Sequence, residues 1–182
     1  MGLGKTLQTI ALLLDRSAQG PSLVVMPAAV LFNWAEELHR FAPTLKVKIF
    51  NSADREKLVR EAVAGDIILT TYGVMTSEID QLKTREWTTV VLDEAHAIKN
   101  RDTKMSKAAM QLKSSARVLL TGTPLQNHLS EIWNLFEFAN PGLLSNFTDF
   151  SERFIVPIEK SQNRDRQRLL KRLTVSYTHL TL

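Results

Sequence analysis

Ser22-Leu23-Val24-Val25-Met26, Asp66 to Thr71 and Thr88 to Leu92 are short, nearly unbroken apolar runs. They lack the in–out alternation of a half-exposed strand. Each therefore needs cover on both faces, which a parallel sheet flanked by helices provides. The intervening segments have helical spacing. Lys5 to Arg16 puts Leu7, Ile10, Ala11 and Leu14 on one face, and Val30 to Phe41 does the same with Leu31, Trp34, Leu38 and Phe41. A strand over Lys46 to Phe50 leads to a helix with cap candidates Asn51, Ser52 and Asp54, closed by Gly65. A short helix over Val74 to Leu82, a helix around Lys104 to Lys113 and a strand from Ala116 to Thr121 complete the series. The alternation predicts a doubly wound parallel α/β sheet with helices on both faces.

After Pro141-Gly142 the alternation stops. Phe147 to Phe154 and Arg164 to Leu173 read as helices, the first burying Phe147, Phe150 and Phe154, the second strongly basic through Arg164, Arg166, Arg168, Lys171 and Arg172. The basic run is expected to be a solvated face. The division is thus an α/β lobe over 1–140 and the start of a helical appendage over 141–174. Residues 175–182 look like a translated sequencing-adaptor tail and are set aside, although their alternating pattern also fits an edge strand.

The chain of 182 residues holds 44% hydrophobic and 23% charged residues, proportions of a soluble globular protein with one sizeable core. It has no cysteine, hence no disulfide framework and no thiolate metal site. Its longest apolar run, Ile10 to Leu14, is far too short to span a bilayer, so no membrane association is expected. A net charge of +4 permits a polyanionic partner without requiring one.

The candidate chemical groups fall at the carboxyl ends of the predicted strands, where open parallel sheets bind ligands. Gly4-Lys5-Thr6 is the closing half of a phosphate-binding loop, running directly into a helix whose N-terminus favours anions. In that motif Lys5 reaches the β- and γ-phosphates of ATP and the Thr6 hydroxyl binds Mg²⁺. The motif's first position would lie before Met1, as would its feeding strand, so the chain reads as a piece truncated at both ends. Val90 to Leu92 delivers Asp93, Glu94 and His96. Phosphoryl transfer to water needs a carboxylate on Mg²⁺, which suits Asp93, and a group that positions the water, which suits Glu94. His96 is expected to link nucleotide state to the Thr121–Thr123 turn. Trp34, at helical spacing with Leu31 and Leu38, reads as a core anchor rather than a base-stacking platform.

Taken together these motifs resemble the first RecA-like lobe of the Swi/Snf-type double-stranded DNA translocases of helicase superfamily 2. The likeness is carried by Met1 to Gln8, by Pro27 through Asn33-Trp34 to Glu37, and by Thr70-Thr71-Tyr72. It is most specific over Asp93 to Asn100 and Leu120 to Asn127, and continues from Glu131 to Leu144. Glu152-Arg153-Phe154 with Pro157-Ile158-Glu159 is more like bacterial members. The resemblance implies a nucleotide site of Gly2, Leu3, Gly4, Lys5, Thr6 and Gln8. It implies Mg²⁺ on Thr6 and Asp93, and catalysis by Lys5, Asp93, Glu94 and His96. It implies DNA contacts by Asn33, Thr70, Thr71, Tyr72, Lys99, Gly122, Thr123, Gln126 and Asn127, and a second RecA-like lobe as partner. Its setting would be the cytoplasm and nucleoid of a bacterium or the nucleus of a eukaryote. Ala29 replaces the serine of many members. The adenine-recognising glutamine motif lies upstream, and the arginine finger belongs to the second lobe. An arginine finger contributes about 10³–10⁵ in rate, so this lobe by itself is expected to hydrolyse ATP negligibly. Strand-separating helicases usually carry Ser-Ala-Thr where this chain has Thr121-Gly122-Thr123, which argues against that alternative. A DNA-binding scaffold with vestigial catalysis is the other alternative, and intact Lys5, Thr6, Asp93 and Glu94 speak against it.

Overall fold

The computed structural model describes residues 4–50, 54–122 and 128–178, with side chains described through residue 174. Five strands, β1 Ser22–Met26, β2 Lys46–Ile49, β3 Asp66–Thr71, β4 Glu86–Leu92 and β5 Lys113–Leu119, form one sheet in the order β2-β3-β1-β4-β5. Every pairing is parallel. β1 is central and wholly buried, as is β4 after Glu86, which is the burial that unbroken apolar runs require. β5 is an edge strand and only half-buried. It starts three residues before the expected Ala116, because Lys113 and Ser114 pair with Glu86 and Trp87. Pairing with a neighbour extends the strand beyond its apolar stretch.

Period-two alternation sends the residues of β1 into two layers. Val24 and Met26 meet Ile10 and Leu13 of α1 (Lys5–Arg16) and Trp34 and Leu38 of α2 (Leu31–Phe41). Leu23 and Val25 face the other layer. It is built from α3 (Arg55–Arg60), α4 (Tyr72–Ser77), α5 (Ile79–Leu82), α6 (Lys104–Met110) and α7 (Leu129–Ala139), through Val59, Met75, Leu82, Ala109 and Phe138. The expected helix over 74–82 is thus two short helices, α4 and α5. Asn51 and Ser52, two of the cap candidates for α3, lie outside the described residues, and Asp54 precedes the helix without a side-chain cap bond.

The rotation of α1 departs from expectation. Its buried residues are Thr9, Ile10 and Leu13, whereas Leu7, Ala11 and Leu14 are exposed. Apolar residues surround this helix, so periodicity alone leaves its phase ambiguous. Polar anchors at both ends set it: Lys5 Nζ donates to the Thr121 carbonyl and Arg16 Nε to Thr89 Oγ1. Phe41 is also exposed, beneath the Arg40 guanidinium, rather than on the buried face of α2.

The appendage packs on α7. α8 (Phe147–Phe150) passes into a widened, π-type helix, Ser151–Lys160, and then α9, Arg164–Thr178. Pro157 lies in the widened segment, where a residue without an N–H interrupts α-type bonding. Phe136, Leu144, Phe150, Phe154 and Leu170 form a separate small core, with Phe147 only half-buried beneath Arg101. The five basic residues of α9 are exposed. α9 continues through 175–178, so this stretch is helix and not an edge strand, and 179–182 lie outside the described residues.

Candidate active site

The site grows from the carboxyl ends of β4 and β5 and the start of α1. Gly4 occupies the left-handed region, φ +69°, where a side chain is strained, and its carbonyl accepts the first helical bond from Gln8 N. Gly2 and Leu3 lie outside the described residues. Lys5 Nζ sits 2.9 Å from the Thr121 carbonyl oxygen. A Cβ placed on Gly122 would be 3.5 Å from Lys5 Nζ and 3.5 Å from Glu94 Oε1. The lysine of the phosphate-loop motif and the second carboxylate of the acidic pair therefore converge on one glycine. Thr6 is half-buried beside this point in sequence, and Gln8 is exposed.

Asp93 ends β4 with each of its polar groups engaged. Its N–H donates to Val25 O at 2.8 Å, and its carbonyl accepts from the Tyr72 hydroxyl at 2.8 Å. Its Oδ1 accepts from Glu94 N at 2.9 Å, and its Oδ2 from Trp34 Nε1 at 2.8 Å. Glu94 stands at φ +49°, a left-handed conformation uncommon outside glycine, and such strain collects at functional positions. Past it, Ala95 N donates to Leu120 O, so β4 and β5 stay bonded beyond their formal ends. His96 Nδ1 lies 3.3 Å from Glu94 Oε2, and Gly122 N makes a long 3.5 Å contact with the same oxygen. His96 thus approaches the 121–122 turn through Glu94.

The residues expected on DNA divide. Asn33 is exposed on the first turn of α2, and Thr71 is half-buried with its hydroxyl accepting from Val74 N to cap α4. Thr70 and Tyr72 are turned inward. Thr70 is 1% exposed and Tyr72 5%, because strand alternation and the α4 face turn both inward. Tyr72 donates its hydroxyl to the Asp93 carbonyl. Burial first, and then the charges of Asp93 and Glu94, push that hydroxyl's pKa far above the ordinary tyrosine value, which keeps it a donor. Lys99 is paired with Glu131 at 3.1 Å, so its charge already has an internal partner. Gly122 is at the site, whereas Thr123, Gln126 and Asn127 lie outside the described residues. Trp34 is a core anchor at 2% exposure, as expected. Its bond to Asp93 was not anticipated. The available signal was chemical: a buried indole N–H needs an acceptor.

Among the described residues no three His, Cys, Asp or Glu side chains gather to hold an ion unaided. A carboxylate and a threonine hydroxyl are the kind of oxygen donors Mg²⁺ takes, since it binds through one or two protein oxygens and completes its shell with phosphate oxygens and water. Among the same residues no helix is long and apolar enough to cross a membrane.

A parallel sheet in this order, with Lys5 at a helix start and Glu94 at a strand end meeting at Gly122, is that of a RecA-like α/β lobe. The chain belongs to the SNF2-related domain family, which matches residues 1–177. A solved structure, the Sulfolobus solfataricus SWI2/SNF2 ATPase core in complex with dsDNA, superposes with a TM-score of 0.83 at 45% identity. That match covers 95% of this chain and 36% of the solved one. The TATA-binding protein-associated factor mot1 of Schizosaccharomyces pombe is 37% identical over 190 residues, 92% of this chain and 10% of that protein. The uncharacterized ATP-dependent helicase MG018 of Mycoplasma genitalium is 38% identical over 178 residues, 94% of this chain and 17% of that protein. The chain therefore spans a small part of the relatives it matches. Those relatives come from an archaeon, a yeast and a bacterium at similar identities.

Proposed function

We propose that this chain is the first ATPase lobe of an ATP-driven translocase that moves along double-stranded DNA. The observation that carries this reading is the convergence on Gly122 of Lys5 and of Glu94, the residue after Asp93. Lys5 leaves the Thr121 carbonyl to meet the β- and γ-phosphates of ATP, and the α1 N-terminus offers its unpaired amides to the same anion. Thr6 and Asp93 would hold Mg²⁺, which neutralises charge on the phosphate oxygens. Glu94, held in a left-handed turn against His96, orients the attacking water.

Because Lys5 rests on Thr121, its departure changes the contacts at the root of the 122–127 segment. Occupancy of the nucleotide site is in this way tied to the segment bearing Gly122, Thr123, Gln126 and Asn127. Those residues, with Asn33 and Thr71, supply contacts to the DNA backbone, which position a duplex without reading its sequence. Lys99 joins them by exchanging Glu131 for phosphate. The second lobe supplies the arginine that completes the site, and the setting is the nucleoid or the nucleus according to host.

The test uses the full-length protein that carries this lobe. ATP turnover is expected to rise with double-stranded DNA of any sequence, to fall steeply with salt, and to proceed without strand displacement. Turnover indifferent to duplex DNA overturns the reading, and robust unwinding replaces it with the strand-separating helicase.

A further inference from the structure

Resting on that reading, which gives Asp93 the metal, we infer that Trp34 and Tyr72 are positioning residues that fix Asp93 from beneath the DNA-facing surface, Trp34 by its carboxylate and Tyr72 by its backbone. A carboxylate at a strand end turns about two side-chain bonds, and a metal ligand has to be held in one orientation to act. Four hydrogen bonds from four segments account for every polar group of Asp93. Two involve main-chain partners: the Asp93 N–H donates to Val25 O of the neighbouring strand, and Oδ1 accepts from Glu94 N. The other two come from distant elements: the Trp34 indole on Oδ2 and the Tyr72 hydroxyl on the backbone carbonyl, each at 2.8 Å. Each carboxylate oxygen has lone-pair capacity beyond one such bond, so clamping leaves Asp93 able to accept a metal or its water.

The chain carries an internal comparison. It has three tryptophans. Trp87 Nε1 donates to the Leu82 carbonyl and Trp133 Nε1 to the Ser145 carbonyl, bonds that satisfy a buried donor and tie loops together. Trp34 alone donates to a carboxylate, a charge-assisted bond of about twice the usual strength, and the carboxylate is the one the chemistry needs. Trp34 also adjoins exposed Asn33, and Tyr72 adjoins Thr71. The segments that present polar groups to the DNA side therefore reach inward with their next residue to Asp93, Trp34 at its carboxylate and Tyr72 at its backbone carbonyl.

The experiment uses Trp34→Phe, Tyr72→Phe and, as control, Trp87→Phe in the full-length protein. Binding of the fluorescent nucleotide mant-ATP is followed while Mg²⁺ is titrated, with thermal melting alongside. Trp34→Phe is expected to raise the half-saturating Mg²⁺ concentration about ten-fold, the lower end for losing a bond to a metal ligand, while mant-ATP binding in EDTA is unchanged. Tyr72→Phe, which keeps its ring in the core, should raise it about three-fold, the scale of one neutral hydrogen bond. Trp87→Phe should lower the melting temperature and leave the Mg²⁺ requirement at the parent value. A Trp34→Phe requirement equal to the parent's, or matched by Trp87→Phe, overturns the inference. A parent whose mant-ATP binding ignores Mg²⁺ removes Asp93 from its metal role and the inference with it. Lack of stimulation by DNA overturns the translocase reading and leaves the Mg²⁺ comparison standing.

Discussion

The two ends of the sheet use polar side chains in opposite ways. At the amino end a cavity of about 610 Å³ is lined by Gly20, Pro21, Arg85, Trp87 and Thr88. Its polar groups serve closure. Arg85 donates to the carbonyls of Val59, Arg60 and Ala62 at the end of α3, and Arg16 to Thr88 and Thr89. Asp66, fully buried, takes Lys48 and the Val63 N–H. At the carboxyl end, Lys5, Glu94 and His96 are held near one another at the surface by contacts that a triphosphate would exchange for its own. This hollow thus lies at the structural end. What distinguishes the site is a set of charged groups held close around a glycine, at the end where parallel sheets bind ligands.

The largest expected effect that tests this contrast is at the carboxyl end. Glu94→Gln in the full-length protein should retain mant-ATP binding and lose turnover about 10²–10⁴-fold, the range for a group that handles the reacting water. An unchanged rate removes Glu94 from its role and erases the difference between the ends. Gly20→Ala probes the amino end. Gly20 lies at φ +149°, ψ −173°, and a Cβ there would sit 2.5 Å from Thr88 Oγ1. Strain and crowding together should cost about 2 kcal/mol by chemical denaturation, with nucleotide affinity unaltered. Loss of ATP binding in that variant would show the two ends to be coupled.

Gly4→Ala gives the smaller stability effect. Among the described residues no atom beyond its chain neighbours lies within 4 Å of the added Cβ, so the left-handed backbone at φ +69° is what is penalised, by about 1 kcal/mol. Here nucleotide affinity should fall along with stability, because the start of α1 is the proposed anion site. The smallest effect concerns alkaline pH. Tyr72 has its pKa raised in the folded state above the ordinary value of 10.0, so the folded protein holds a proton that the unfolded chain releases. Its contribution is whole below about pH 10 and declines as pH rises beyond that, since stability falls where the folded state binds more protons. Denaturation between pH 9 and 11, an interval of roughly one unit either side of the ordinary tyrosine pKa, should show a shallower decline for Tyr72→Phe than for the parent. Equal slopes would mean that Tyr72 ionises as easily in the fold as in the unfolded chain.

The sheet was legible because a strand buried on both faces leaves a continuous apolar run. Ser22–Met26 and Asp66–Thr71 stand as expected for that reason, and the acidic pair and Gly122 mark the strand ends. The lower-contrast features were not legible. Ser114 became strand through pairing with Trp87, and Phe147 to Phe154 split into an α turn and a widened helix around Pro157.

Within the site, residue types and order along the chain determined which groups could hold phosphate and metal: Lys5 and Thr6 at a helix start, Asp93 and Glu94 at a strand end. Only the tertiary structure decided what the neighbouring side chains do. It turned Thr70 and Tyr72 inward, matched Lys99 with Glu131, rotated α1 onto Thr9, Ile10 and Leu13, and placed the Trp34 indole on Asp93. Periodicity records how often a side chain meets the core. The partner of a buried N–H, O–H or charge is set by residues far away in sequence, brought within 3 Å or so by packing.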